Sequence, residues 1–386
     1  MKKLLLIAAL GGLFAATAVQ AQTSVYICGS TAFRSNAYRA IKAMFDGGAP
    51  TYENSQNLGS GASLMTFQGT ITPLFGANTV TIYCDWTGSA QGTHSLTATP
   101  GDSLSFLLNP TPNGDTATFN HTADLAFSDV FQATTGFTSP TLTDEQVAVQ
   151  PFCWVKGPGS DSRITNIAMQ QLDYAIIGSC PLTYLIGTTN AADYNTTVYF
   201  TGRNKDSGSR LVSLSDCKYK GSVNIYSNTG TGSPILYTVS QIVNGVNYGP
   251  GFSSGGKEAA NIALGGYNNI GYLGYADART VVAAGGQILT YNGLLPFTGG
   301  STTTTNGMNV PDFSPVISGQ YSMWGPEHLF INPANLNYAA AYAVYTNVVP
   351  YINSDLTNTA NGPVTAIQIG ALGNTTRTSD GGAIAP

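Results

Sequence analysis

Short apolar runs alternate along the chain with polar turns and with segments of helical periodicity. The first run, SVYICG (24–29), is typical of a β-strand, and apolar residues between positions 37 and 45 then recur at the spacing of one helix face. Ser30 and Thr31 stand where an N-cap hydroxyl is expected, so either of them is predicted to cap this helix. The pattern therefore predicts a strand, a short turn and a helix.

The same alternation continues over most of the chain. Further strand-like runs are TVTIYCDW (79–86), ADLAFSDV (123–130), EQVAVQPFCWVKG (145–157), TTVYF (196–200) and HLFIN (328–332). Residues 338–349 have a helical pattern that Pro350 is expected to end. Residues 46–78 read as a polar insertion that includes the hairpin-like LMTFQGTITPLF, and residues 93–122 as a loop-rich insertion. The runs TGGSTTTTNG and GNTTRTSDGGAIAP are typical of a flexible loop and a flexible tail. Strands that alternate with helices predict an α/β fold with mainly parallel sheets and flanking helices.

The length of the chain predicts two lobes. A chain of 386 residues exceeds what one hydrophobic core usually serves. We expect one lobe from residues 24–150 plus 321–386 and a second from 151–320, with crossover strands at 147–155 and 328–331 forming a hinge. A hinge between two lobes commonly closes around a ligand.

The N-terminus has the pattern of a secretory signal. Two lysines precede an apolar run, and small residues at Val19 and Ala21 predict cleavage after Ala21. No cysteine at that point supports a lipid anchor, and no later segment has the apolar length of a membrane span. The sequence thus predicts a periplasmic or extracellular protein.

Charge is scarce, since Asp, Glu, Lys and Arg make up 9% of the residues. Removal of Lys2 and Lys3 with the signal leaves 13 basic and 20 acidic residues. An acidic, charge-poor chain argues against nucleic acid or anionic lipid as the main partner. Neither a Cys-x-x-Cys pair nor a histidine cluster indicates a metal, and no cofactor is expected.

Five cysteines remain after export: Cys28, Cys84, Cys153, Cys180 and Cys217. An odd number leaves at least one thiol unpaired in an oxidising compartment. Sequence does not fix the connectivity, and a bridge between Cys180 and Cys217 is the pairing that we expect.

Four strand ends finish in small hydroxyl or acidic residues: GSTAF (29–33), TGSAQG (87–92), FSD (127–129) and GRNKDSGSR (202–210). Glycine–serine turns expose backbone N–H groups, and a helix that follows adds the positive end of its dipole. Such turns bind anions without net protein charge, and an arginine fork makes a tetrahedral oxyanion the natural ligand. Ligands of α/β sheets lie beyond the carboxyl ends of strands, where these turns are predicted.

Each of these motifs has a simpler reading when taken alone. A Gly-Ser turn is usually only a turn, Arg203 can be a surface charge or a partner of Asp206, Asp129 can be a helix cap, and Phe33 can be a core residue. Their occurrence together and in this order is what favours a binding site.

In this order the motifs resemble those of the phosphate-binding proteins of phosphate ABC transporters, which are two-lobed solute-binding proteins of the type II periplasmic class. The resemblance is carried by Gly29–Phe33, Gly88–Gly92, Ser128-Asp129, Arg203–Ser209 and Asn269–Tyr272. It implies a non-enzymatic monomer that binds phosphate, or a similar oxyanion, for an ABC permease. The contacts that it implies come from Thr31, Ala32, Phe33, Ser89, Asp129, Arg203, Ser207, Gly208 and Ser209.

This chain departs from the family pattern at two of these places. The family threonine falls on Ala32, so that the hydroxyl must come from Thr31 or Ser30. The family aspartate after the arginine falls on Lys205, and Asp206 occupies a glycine position. Arg34 and Arg210 are additional cations beside the motifs.

Asp129 is the residue expected to select the ligand. A carboxylate beside a dianion is favourable only when the ligand carries a proton for it to accept, as hydrogen phosphate does and sulfate does not. Arsenate is expected to be accepted as well.

Two other functions stay open. One is an exported structural or adhesive protein that keeps a binding-protein fold, in line with the low charge and the Thr/Asn/Gly-rich insertions. The other is an exported phosphatase or esterase, suggested by the Gly-x-Ser-x-Gly match at 251–255. The residues NYGP precede that match, so that we expect no strand where a nucleophile elbow needs one, and only His328 follows it in the order of a serine hydrolase triad.

Overall fold

The structure is a computed structural model that describes residues 22–98, 102–111, 115–243, 245–299, 304–305, 308–309, 311–358 and 364–385. The predicted signal peptide and most of the TGGSTTTTNG run (298–307) lie outside the described residues. The strands are β1 (Thr23–Gly29), β2 (Tyr52–Asn54), β3 (Leu64–Thr70), β4 (Thr79–Asp85), β5 (Ser103–Leu107), β6 (Thr118–Thr122), β7 (Leu125–Ser128), β8 (Thr143–Lys156), β9 (Asn166–Ile167), β10 (Ser179–Pro181), β11 (Thr197–Phe200), β12 (Tyr226–Ser227), β13 (Ile235–Leu236), β14 (Ser240–Val243), β15 (Val246–Pro250), β16 (Asn269–Gly274), β17 (Gln287–Ile288), β18 (Thr290–Tyr291), β19 (Thr304–Thr305), β20 (Met308–Asn309) and β21 (Trp324–Ile331).

Helices lie between and around these strands. They are α1 (Arg34–Met44), α2 (Thr72–Phe75), α3 (Ser89–Thr97), α4 (Gln132–Thr135), α5 (Met169–Ala175), α6 (Leu182–Ile186), α7 (Ala191–Tyr194), α8 (Gly208–Asp216), α9 (Gly255–Ala263), α10 (Tyr275–Ala283), α11 (Ser314–Ile317) and α12 (Tyr338–Thr357). The mixture confirms the predicted α/β class.

One sheet runs through both lobes in the order β10-β11-β16-β8-β21-β7-β1-β4-β3-β2, with β17 also paired to β8. In the first lobe β1 pairs in parallel with β4 and with β7, and in the second β11 pairs in parallel with β16. The crossover strand β8 pairs antiparallel with β21 through its first part and with β16 through its last part. The strands β8 and β21 therefore connect the two halves of the sheet.

Each lobe has its own hydrophobic core. Val25, Ile41 and Ile82 are buried in the first core, and Trp154, Ile270 and Tyr272 in the second. The predicted lobe boundaries fall within β8 and just before β21.

The prediction that Pro350 ends the last helix is wrong, because α12 continues through it to Thr357. A proline inside a helix costs about 3 kcal/mol. Beyond it, Ile352 and Leu356 are 0% and 5% exposed, and burying two such side chains contributes about 1.5–3 kcal/mol each. The continued apolar face outweighs the proline.

Several smaller expectations are also wrong. The run LMTFQGTITPLF forms β3 and α2 rather than a hairpin of its own, and β3 pairs with β2 and β4. Residues 93–122 contain most of α3 and the hairpin of β5 and β6 rather than loop alone. Helix α1 begins after Phe33 without a side-chain cap. The predicted bridge is not formed, since all five cysteines are buried free thiols. Burial raises the pKa of Cys180 to about 12 and that of Cys217 to about 11.

The terminal segment, expected to be a flexible tail, is packed. Arg377 is 5% exposed, its guanidinium lies 4.8 Å from the ring centre of Trp324, and its Nη2 lies 3.1 Å from Oδ1 of Asp216. A buried arginine that is paired in this way fixes the segment against the second lobe.

Candidate anion-binding site

The carboxyl ends of three neighbouring parallel strands lie at one edge of the first lobe's sheet. Cys28 of β1 is in register with Asp85 of β4, and Gly29 of β1 with Phe127 of β7. The turns that follow these strands are three of the four turns singled out in the sequence. Parallel pairing thus brings together segments that are up to 100 residues apart, and the fourth turn follows β11 in the second lobe.

Arg203 of the fourth turn is the hub of the interlobe contact. Its guanidinium is 2% exposed, and Nε and Nη2 donate to the carbonyl oxygens of Phe252 and Ser253 at 2.9 and 3.0 Å. Nη1 lies 3.3 Å from Oγ1 of Thr31, which belongs to the first lobe. The loop carbonyls fix the plane of the guanidinium, and the remaining side of the fork faces the other lobe.

Asp129 lies across the interface from this turn. Its carboxylate is 2% exposed and accepts a hydrogen bond from the hydroxyl of Ser89, the first residue of α3. A Cβ placed on Gly208 would lie 1.7 Å from Oδ1 of Asp129 and 2.4 Å from Oγ of Ser89. Only glycine therefore allows the start of α8 to approach the acid so closely.

The two serines of the fourth turn, Ser207 and Ser209, lie side by side. The hydroxyl oxygens of Ser207 and Ser209 are 2.7 Å apart, and Ser207 also accepts the backbone N–H of Arg210 as the N-cap of α8. Ser209 lies 3.5 Å from Nη1 of Arg203. Both hydroxyls thus lie beside the guanidinium.

The residues that follow β1 differ in how they contact the interlobe cluster. Thr31 reaches Arg203, whereas Ala32 is partly buried with its Cβ beside Gly274 of β16. Phe33 is fully buried, its ring lies 5.7 Å from that of Phe127, and its backbone N–H donates to the Ser30 hydroxyl at 3.2 Å. The structure therefore places the Phe33 ring in the core and its backbone at the edge of the cluster.

Asp206 makes a second contact between the lobes. Its Oδ1 accepts the backbone N–H of Gln91 at 2.6 Å, and its carbonyl accepts that of Ala90 at 3.0 Å. Helix α3 has no side-chain cap of its own, so an acid from the second lobe caps it. A Cβ on Gly88 would come within 2.5 Å of the Asp206 carboxyl carbon. The absence of a side chain at Gly88 thus leaves room for the carboxylate of Asp206.

Burial controls the protonation of these acids. It raises the pKa of Asp129, while the Ser89 hydrogen bond and the positive charge of Arg203 act in the opposite direction. It raises the pKa of Asp206 to about 6 despite the hydrogen bond from Gln91. Glu327, which is also buried and near Asp129, has its pKa raised well above the usual range. The site contains carboxyl groups that can hold or accept a proton.

Sequence reasoning missed part of this environment. The carbonyls of Phe252 and Ser253 position Arg203, although the surrounding Gly-x-Ser-x-Gly segment had been considered only as a hydrolase motif. Asp277 approaches the start of α9, and its pKa is raised by burial while Arg34 and Arg203 lower it. Glu327 is on β21, all of whose residues are buried, and nothing in the local sequence marks it as part of a site.

Other kinds of site find less support. Within the described ranges, no group of three or more His, Cys, Asp or Glu side chains is placed to hold a metal ion. None of the described helices is both long and apolar enough to cross a membrane. The strand β15 does precede the Gly-x-Ser-x-Gly match, contrary to expectation. Ser253 Oγ nevertheless accepts a hydrogen bond from the ammonium of Lys257 at 3.0 Å, and within the described residues no histidine bonds to it.

The two lobes, the crossover strands and the cluster between them define the class: the chain has the fold of the two-lobed periplasmic binding proteins. It resembles the solved structure, with bound phosphate, of a protein assigned as a phosphate ABC transporter substrate-binding protein from Clostridium perfringens. The TM-score is 0.51 at 13% identity, over 90% of this chain and 100% of that one. That likeness confirms the predicted fold.

Two further solved structures are more distant. A phosphate transport receptor from Vibrio cholerae matches at 12% identity and a TM-score of 0.43, over 86% of this chain and 97% of that one. A phosphate-binding protein from Stenotrophomonas maltophilia matches at 11% identity and a TM-score of 0.39, over 85% and 84% of the two chains. No family profile and no curated protein sequence matches the chain.

Proposed function

We propose that the protein is an exported solute-binding protein that captures hydrogen phosphate, or a similar tetrahedral oxyanion, between its lobes. The observation that carries the proposal is one buried interlobe cluster that contains Arg203, Asp129 and the hydroxyls of Ser89, Ser207 and Ser209. These residues come from both lobes, so a ligand that binds them all stabilises the closed form.

The ligand would exchange partners with the groups of the cluster. Arg203 and the hydroxyls of Ser207 and Ser209 now bond to one another, and an oxyanion would accept hydrogen bonds from these groups instead. Charge-assisted hydrogen bonds contribute about 1.5–3 kcal/mol each. Several of them suffice for micromolar affinity after the cost of association.

Asp129 gives the site its selectivity under this proposal. As the acceptor of the proton of hydrogen phosphate it would be satisfied, whereas sulfate leaves it facing an anion without a hydrogen bond. A buried polar group left without a partner discriminates by about 10⁴ or more. Its raised pKa is compatible with sharing a proton with the ligand.

Export and uptake complete the proposal. The N-terminal segment would be removed after Ala21, and the loaded monomer would deliver phosphate to an ABC permease. The protein would act as a carrier without catalysis.

One observation favours the rival function of a structural protein that keeps this fold. The carboxylate of Asp206 accepts the N–H of Gln91 and its backbone carbonyl accepts that of Ala90, so two N–H groups at the start of α3 that an anion could use are already occupied. The two functions differ in whether a saturable oxyanion site exists.

Calorimetric titration of the mature protein with phosphate and with sulfate at neutral pH tests the proposal. Saturable heat from phosphate and none from sulfate is expected. Arg203→Lys keeps the charge but loses the fork and should weaken binding about 10–100-fold. The same change at Arg163, whose guanidinium is at the surface, is the matched control. Heat from sulfate and none from phosphate would overturn the selectivity, and no heat from either would favour the structural rival.

A further inference from the structure

Three of the few basic residues of this chain lie around one pocket outside the interlobe site. Lys205, Arg210 and Lys220 line a cavity of about 460 Å³ together with the loop 221–223 and Pro250. None of the lining residues is acidic. We call this the basic pocket, and it stands out in a protein with 15 basic residues among 386.

Arg210 forms the buried end of the basic pocket. It is 7% exposed, and its Nη1 donates to the carbonyl oxygen of Arg203 at 2.7 Å. Within the described residues its guanidinium makes no other hydrogen bond to the protein and no ion pair. A buried guanidinium that lacks a carboxylate partner is costly, and an anion in the pocket would compensate that cost.

The two lysines are placed at the open side. Lys205 and Lys220 are exposed, and neither forms an ion pair within the described part of the chain. The backbone N–H of Lys205 donates to Tyr248 at 2.8 Å, and the Tyr219 hydroxyl donates to the Ser222 carbonyl at 2.5 Å. Both walls of the pocket are thus held by hydrogen bonds, so that the cations are presented by a formed surface.

The basic pocket is separate from the interlobe cluster. All its lining residues lie between 205 and 250, within the second lobe, whereas the cluster needs Ser89 and Asp129 of the first lobe. The guanidinium of Arg203 bonds toward Thr31 and the 252–253 carbonyls, and the basic pocket meets only its carbonyl. Occupation of this pocket therefore does not require the lobes to close.

We infer that the basic pocket binds a small polyanion with two or more phosphate groups. Its volume lies within the range of small-molecule sites, about 300–1,000 Å³. Arg210 can hold one phosphate with its planar fork, and the two lysines act as mobile point charges for a further one. A concave site with a buried arginine at its end suits a compact anion better than an extended acidic peptide. The inference does not depend on the proposed phosphate capture between the lobes.

Titration with tripolyphosphate at low ionic strength tests this inference. Saturable binding that weakens as salt is added is expected for the unchanged protein. Lys205→Gln/Lys220→Gln should weaken it at least tenfold and change orthophosphate binding less than threefold. Lys205→Arg/Lys220→Arg, which keeps the charges, should stay within threefold of the unchanged protein. Lys42→Gln/Lys257→Gln removes two charges elsewhere on the protein and should also bind tripolyphosphate within threefold of the unchanged protein.

A variant at the interlobe contact separates the two sites. Gly208→Ala should retain tripolyphosphate binding within threefold, because no residue of the first lobe lines the basic pocket. The inference would be overturned if Lys205→Gln/Lys220→Gln bound tripolyphosphate as tightly as the unchanged protein. It would also be overturned if Gly208→Ala lost tripolyphosphate binding. Binding of an acidic hexapeptide in place of tripolyphosphate would also overturn it. If the double variant does not fold, Lys220→Gln alone should weaken binding more than threefold, which is outside the range expected for the control variants.

Discussion

Gly208 offers a sharp test of the interlobe contact. In the substitution Gly208→Ala the new Cβ would lie 1.7 Å from Oδ1 of Asp129, where ordinary contacts begin at about 3.4 Å. The lobes would have to separate by an amount of the same order as this deficit, because both partners are buried. Separation removes the hydrogen bond of Arg203 to Thr31 and that of Gln91 to Asp206.

The loss can be converted into affinity. Two hydrogen bonds to charged groups contribute about 1.5–3 kcal/mol each, so closure would lose about 3–6 kcal/mol. At 1.4 kcal/mol per factor of ten, phosphate affinity should fall about 10²–10⁴-fold. The second lobe itself should not suffer, since alanine in place of glycine favours helix α8 by up to about 1 kcal/mol.

Calorimetry with phosphate measures the affinity, and small-angle scattering measures whether phosphate reduces the radius of gyration. Gly256→Ala is the matched control, because its Cβ in the first turn of α9 would lie an ordinary 3.8 Å from Asp277. The control should bind and close like the unchanged protein. Phosphate affinity of Gly208→Ala within threefold of the control would refute the reasoning.

Three further predictions concern selectivity, pH and the terminal segment. Asp129→Asn should reduce the ratio of phosphate to sulfate affinity at least tenfold in paired titrations, because an amide can donate to sulfate; an unchanged ratio contradicts the role of Asp129. Burial raises the pKa of Asp85 to about 8, so the folded protein holds a proton that the unfolded chain releases above about pH 4. Its free energy of unfolding should therefore fall between pH 4 and 8, and denaturant titrations of Asp85→Asn should show a shallower fall; equal slopes would contradict the pKa shift. Arg377→Ala should lower that free energy by about 3–5 kcal/mol, since Asp216 would be left buried without its cation, whereas a change below 1 kcal/mol would show that the segment is not fixed by this pair.

The parts of the fold that the sequence predicted are those set by local periodicity. The strand β7 ends at Ser128 as the run at 123–130 indicated, and β8 spans the crossover. Boundaries that depend on tertiary packing were not predictable in the same way. Helix α12 passes Pro350 because its buried face continues, and no local pattern reports how much burial lies beyond a proline.

The candidate site likewise has parts that the local sequence predicts and parts that it does not. Turns with a recognisable composition were found, and the structure brings Arg203, Asp129 and Ser89 together. The carbonyls of Phe252 and Ser253 were missed because any residue supplies a carbonyl. The capping of α3 by Asp206 was missed since it depends on how the two lobes meet. Contacts made by backbone atoms, or between the two lobes, leave no residue pattern in the sequence by which they could be predicted.

The most direct test of phosphate capture between the lobes is the crystal structure of the mature protein with arsenate, located by the anomalous scattering of arsenic. Arsenate has the charge and geometry of phosphate, so the strongest anomalous peak should lie within hydrogen-bonding distance of Arg203, Ser89 and Asp129. Absence of a peak between the lobes at millimolar arsenate, with or without a peak in the basic pocket, would contradict the account.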